Sequence, residues 1–194
     1  TATGGTSYSW DNGVTQGVAF SPATTQTYTV TGTNANGCIN TDQVVVTVNP
    51  LPTVSAGPDF AVCSGGSATL NGSGAVAYTW NNGVSNGVSF TPAATNTYTV
   101  TGTDANGCIN TDQVTVSVLT NAPVNAGPDV AICIGQSTTI SATGAVTYNW
   151  DQGLGTGNNF VVSPTGTTTY TVVGTDGNGC TGTDAITVTV NPLP

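Results

Sequence analysis

A row of small β-sandwich domains with no helix is the fold that this sequence predicts, and three observations predict it. Threonine, valine, glycine and asparagine dominate, which favours strands and tight turns. No apolar pattern recurs at helical spacing anywhere in the 194 residues. Finally, one stretch is written three times: "TYTVTGTNANGCINTDQVVV" at 27–46, "TYTVTGTDANGCINTDQVTV" at 97–116 and "TYTVVGTDGNGCTGTDAITV" at 169–188. Trp10, Trp80 and Trp150 fall 70 residues apart, and residues 1–48 match residues 71–118 at 31 of 48 positions. The unit is therefore about 70 residues, read as an incomplete repeat over 1–50 that lacks its first strands, a repeat over 51–120 and a repeat over 121–194.

The strands of a unit follow in order. "FAVC" (60–63), "SATLNG" (67–72), "AYTW" (77–80) and "GVSF" (87–90) are short strand candidates bounded by Gly, Ser and Asn. In "TYTVTGT" (97–103), Tyr98, Val100 and Gly102 share one face and the threonines the other. "QVTVSV" (113–118) alternates in the same way, with Val114, Val116 and Val118 on one side. A period of two marks half-buried strands of an antiparallel sheet, and the Asn-Gly pair in "DANG" (104–107) marks a hairpin between the last two. Six or seven such strands make a small sandwich. The joins "VNPLPTVSAGPD" (48–59) and "LTNAPVNAGPD" (119–129) carry proline, which predicts stiff junctions between domains in a row.

Composition narrows function. Nine aspartates are the whole set of charged side chains, giving −9 with no Glu, Lys, Arg or His. Nucleic acid is excluded as a partner because phosphate neutralisation needs Lys or Arg. No apolar run is long enough for a membrane span. Triads, Schiff bases and phosphate clamps have no residues to build them, so no enzyme is expected. A carboxylate pair would be the sole acid–base chemistry left, yet the aspartates recur from unit to unit rather than marking one domain. Proteases that require a basic residue at the cleaved bond find no site here.

Cysteine positions also recur. Cys38, Cys108 and Cys180 each follow the hairpin turn, whereas Cys63 and Cys133 each end the first strand candidate of a unit. Matching positions predict intradomain disulfides Cys63–Cys108 and Cys133–Cys180, with Cys38 paired to a residue outside this sequence. Closing a loop of about 46 residues would stabilise a unit by roughly 4 kcal/mol, a large share for so small a core. Disulfides imply an oxidising, extracytoplasmic setting. Zinc or redox chemistry would want close pairs such as C-x-x-C, and none occurs.

The tryptophans have two readings. As core residues, Trp10, Trp80 and Trp150 would pack inside each unit with Tyr28, Tyr98 and Tyr170; as exposed indoles they would stack on sugars. No cofactor is expected. Calcium is the one ion the composition would suit, with Asp59 and Asp129 just after the joins as its candidate ligands.

The pattern Y-x-W-[DN]-x-G, T-x-T-Y-T-V-x-G-T-[DN]-x-N-G-C and A-G-P-D-x-x-x-C-x-G runs through the chain. It resembles the PKD-like and immunoglobulin-like repeats of very large Bacteroidetes surface proteins, including gliding-motility adhesins. That resemblance implies an immunoglobulin-like sandwich, export to the cell surface, and a role in adhesion or surface filaments. The expected function is a disulfide-stapled stalk of an extracellular bacterial adhesin, whose partners are neighbouring repeats of the same long chain. The alternatives are a glycan-binding module and a self-assembling filament subunit whose partners are other copies.

Overall fold

The computed structural model describes residues 1–194, with sixteen strands and no helix. Strands β1 (Ser7–Trp10), β2 (Gln26–Thr33) and β3 (Ile39–Val46) belong to the first repeat. The second holds β4 (Phe60–Cys63), β5 (Ala68–Thr69), β6 (Ala77–Trp80), β7 (Ser89–Phe90), β8 (Asn96–Thr103) and β9 (Ile109–Leu119). The third holds β10 (Val130–Cys133), β11 (Thr138–Ser141), β12 (Thr147–Trp150), β13 (Gly155–Thr156), β14 (Asn159–Val162), β15 (Thr168–Thr175) and β16 (Thr181–Asn191). By packing the chain divides into two compact units. One comprises Thr1–Ser55, Gly72–Thr79 and Thr101–Thr111; the other comprises Ala56–Asn71, Trp80–Val100 and Asp112–Pro194.

In the second unit, the third repeat is a two-layered sandwich. A five-stranded sheet in the order β10-β16-β15-β12-β13 packs on the pair β11-β14. Alternation dictates which residues fill the space between them. Tyr170 and Val172 of β15, Ile186 and Val188 of β16, Ile140 of β11, Val162 of β14 and Trp150 of β12 are all buried. The second repeat repeats the plan, with a sheet β4-β9-β8-β6 and a pair β5-β7. Its Tyr98, Val100 and Gly102 lie on the inner face of β8, as do Val114 and Val116 of β9, matching the period-two pattern. Two packed sheets of this kind form an immunoglobulin-like sandwich.

One pairing departs from the antiparallel expectation. The short first strand of each complete repeat runs parallel to the last: Phe60 pairs with Val116 and Cys63 with Leu119, and likewise Val130 with Val188 and Cys133 with Asn191. Parallel neighbours need a long crossover, and the other strands of the repeat supply it.

In the first unit, β1-β2-β3 form one antiparallel sheet. Val44 and Val45 of β3 are exposed, and Trp10 is only half-buried. Trp10, Val14, Phe20, Tyr28, Val44 and Val46 line a cleft of about 290 Å³.

The joins are laid into the sandwich that follows them. Asn125 bridges Thr143, and Val124 sits against Gly174, where an added Cβ would lie 2.6 Å from its Cγ2. Gly144, with φ +90°, brings its backbone so close to Pro123 that a Cβ would stand 1.9 Å from the carbonyl oxygen. A tyrosine hydroxyl pins the turn beyond: Tyr148 Oη donates to the Ala145 carbonyl and accepts from its amide, both at 2.8 Å. Tyr78 does the same with Ala75, and Tyr8 with Gly5. The join is thus fastened to the repeat that follows by packing and hydrogen bonds.

Two substitutions on neighbouring strands test this core. Ile140 is 1% exposed and Val161 is 70% exposed. Ile140→Ala is expected to cost about 2–5 kcal/mol in denaturant unfolding, and Val161→Ala less than about 0.5 kcal/mol. Gly174→Ala, forced against Val124, is expected to cost about 1–3 kcal/mol.

Candidate functional site

The site is the joint between the second and third repeats, and it lies wholly within the second unit. Register places Cys63 there. It ends β4 beside Leu119, the last residue of β9, at the point where the chain passes into the join. Ser64 N donates to the Leu119 carbonyl (2.7 Å) and Gly66 N to the Cys63 carbonyl (2.8 Å), which fixes the turn after the cysteine.

Cys180 arrives from the other side. β15 and β16 form a hairpin whose closing residues are Thr175 and Thr181, leaving a loop from Asp176 to Cys180. The Asp176 carboxylate builds that loop by accepting from the Asn178 and Cys180 amides at 2.8 and 2.9 Å. Gly179, at φ +85°, supplies the left-handed residue that the Asn-Gly signal foretold. The loop holds Cys180 against Cys63 with Cα atoms 5.5 Å apart, and the two form a disulfide across a sequence separation of 117. Cys180 is fully buried there.

This pairing corrects the expected one. Cys63–Cys108 and Cys133–Cys180 do not form, and Cys38, Cys108 and Cys133 are free thiols. The reason is geometric. In the third repeat, Cys133 lies beside Asn191 while Cys180 precedes Thr181, at opposite ends of an 11-residue strand. At about 3.3 Å per residue the two stand roughly 36 Å apart, against the 4.4–6.8 Å that a disulfide spans. Cys63 and Cys108 bear the same relation to β9. The disulfide therefore joins repeats instead of stapling one. The closed loop is longer than expected, and its chain-entropy contribution rises to about 5 kcal/mol.

The aspartates near the joint accept hydrogen bonds from backbone amides. Asp59 Oδ1 accepts from Thr115 N at 2.7 Å and Asp129 Oδ1 from Thr187 N at 2.8 Å, each bracing the start of the parallel strand pair. Asp112 accepts from Ala56 N at 2.9 Å and Asp184 from Ala126 N at 2.8 Å, tying each join to the strand beneath it. No three acidic, cysteine or histidine side chains converge. The two calcium candidates, Asp59 and Asp129, thus sit one per repeat, each with an amide partner. Sequence reasoning missed these carboxylate–amide bonds, although recurrence of "AGPD" and "TD" at fixed spacing was their signal.

The indoles face inward in both complete repeats. Trp80 is 9% exposed and Trp150 2% exposed. Their Nε1 groups donate to Asn86 Oδ1 (3.0 Å) and to the Gly157 carbonyl (3.1 Å), so neither is free to stack on a sugar. Tyr28, Tyr98 and Tyr170 are likewise buried.

Electrostatics gives a test. The carboxyl of Asp112 is held below the ordinary 3.8 by the amides of Ala56 and Gln113, and that of Asp184 by those of Ala126 and Ala185. A folded-state value below the unfolded one means that their stabilisation is complete above pH ~4 and is lost as pH falls through the lowered value. Acid titration followed by tryptophan fluorescence should therefore show stability falling less steeply below pH ~4 in Asp184→Ala than in the parent chain, from a lower starting level.

No family model matches the chain, and no curated protein does. Among solved structures, it is similar to the fibronectin(III)-like modules of Clostridium thermocellum CbhA, at 13% identity and TM-score 0.36, over 72% of this chain and 95% of that one. It is also similar to a Ca2+-stabilized adhesin with which an Antarctic bacterium binds ice, at 18% identity and TM-score 0.39, over 88% and 57%. A third is the insect immune protein hemolin, at 16% identity and TM-score 0.38, over 85% and 56%. The chain spans just over half the length of the last two.

Proposed function

We propose that the chain is a segment of an extracellular stalk, in which tandem sandwich modules over 1–50, 51–120 and 121–194 hold a distal adhesive part away from a bacterial surface. The observation that carries this reading is the Cys63–Cys180 bond, a covalent tie between successive repeats at their joint. A tie in that place limits bending between modules, which serves reach and does nothing for a catalytic or ligand-binding pocket. Two further features support it. The disulfide suits an oxidising exterior, and the join residues Val124 and Ala126 are fastened to the repeat that follows. The resemblance of the repeat pattern to surface adhesins of the Bacteroidetes supports the same role, which we extend to adhesion and gliding. Neighbouring repeats of the same chain are then its first partners.

Small-angle scattering tests the proposal. Modules each some 36 Å long, set end to end, would span about 110 Å and give a radius of gyration near 30 Å. A compact globule of this length would give about 16 Å, and that value would sink the stalk reading. Reducing the disulfide is expected to broaden the distance distribution while the tryptophan emission stays blue, because the modules remain folded as their connection loosens.

A further inference from the structure

The bonded joint has two halves, and each half recurs elsewhere with its cysteine free. The Cys63 half consists of a strand end, with Ser64 N on Leu119 O and Gly66 N on Cys63 O. Cys133 is held identically: Ile134 N donates to Asn191 O at 2.9 Å and Gln136 N to Cys133 O at 3.0 Å. The Cys180 half is a loop in which a side-chain oxygen of Asp176 fixes the cysteine amide. Around Cys38 the same loop is held by Asn34 Oδ1, which accepts from Cys38 N at 3.0 Å. Both Cys133 and Cys38 are exposed.

The flanking residues differ in a matched way. The residues after the bonded cysteines are polar, Ser64 and Thr181, whereas those after the free ones are Ile134 and Ile39, 44% and 67% exposed. A joint of the same form would set both isoleucines within one residue of the same disulfide.

We propose that Cys133, flanked by Ile134, is a second attachment site, which takes the loop thiol of another repeat in the manner of Cys63. The partner chemistry is an Asn/Asp-x-Asn-Gly-Cys-Ile loop, carried by a second copy of this chain or by a further repeat in line with the third. The inference builds on the tandem-array reading above. The oxidant is a small-molecule disulfide. The Cys133 thiolate attacks one of its sulfurs and releases one thiol. The loop thiolate then attacks the Cys133 sulfur, releasing the second thiol. Two protein thiols and one disulfide thus become one protein disulfide and two small thiols, the two protons going with them.

The test has two arms. In the first, the whole chain is incubated with glutathione disulfide and mapped without reduction, using a protease that cuts at apolar residues. Links from Cys133 to a loop cysteine, Cys38 or Cys108, should outnumber Cys133–Cys133 and loop–loop links at least several-fold, and Cys133→Ser should abolish the former class. In the second arm, a copy of residues 51–120 is appended after Pro194. Cys133 should then bond within one molecule to the appended counterpart of Cys108 and resist alkylation. A link in the first arm assigns a second copy as partner, and one in the second arm alone assigns an in-line repeat. A statistical mixture of links in the first arm together with an alkylated Cys133 in the second would overturn the site, as would a bond from Cys133 to Cys180. The scattering result stands apart from all of these, so loss of the site and loss of the stalk are told apart.

Discussion

The direction of one four-residue strand decides what this molecule can be. Because β4 and β10 run parallel to the strands they border, the cysteine that closes each arrives at the far end of the sandwich from the hairpin cysteine of the same repeat. Antiparallel pairing would have brought the two thiols of one repeat toward each other and closed every module upon itself. Parallel pairing separates them by the length of a long strand and presents each at a junction. Covalent continuity between modules follows from that geometry.

A chain with nine negative charges and none positive must stabilise its carboxylates without ion pairs. It does so with its own backbone. Asp59, Asp112, Asp129 and Asp184 each take an amide hydrogen across a strand or a join, and Asp104 and Asp176 build the hairpin loops. Hydrogen bonds from amides to ionised groups are among the stronger ones available to a protein. The acidic composition therefore serves the architecture directly: charge that would only repel is used to fasten joins and shape turns. The surface keeps a single sign, which opposes non-specific association between modules that carry exposed strand edges.

Much of this was legible in the sequence, and the failures have a common cause. Period-two alternation in "TYTVTGT" and "QVTVSV" located the longest strands and their inner faces, and the buried Tyr98 followed from it. The hairpin was announced by Asn-Gly. Local patterns carry such information because neighbouring residues alone determine it. The disulfide partners were not legible, because the orientation of β4 depends on packing against residues more than fifty positions away, and a run such as "FAVC" reads the same in either direction. Strand length held an unused clue: an 11-residue strand between two cysteines leaves no room for a bond between them.

The bond between repeats also changes how tension would travel. Pulled from its two ends, the chain would transmit load into Cys63, across the sulfur atoms and out through Cys180, leaving the 117-residue stretch between them slack. Unravelling every strand in that loop would lengthen the molecule hardly at all, although the same stretch laid straight would measure roughly 400 Å. A tether made this way would give sharply at first and then stop, behaving like a strap with a stitched seam instead of a spring.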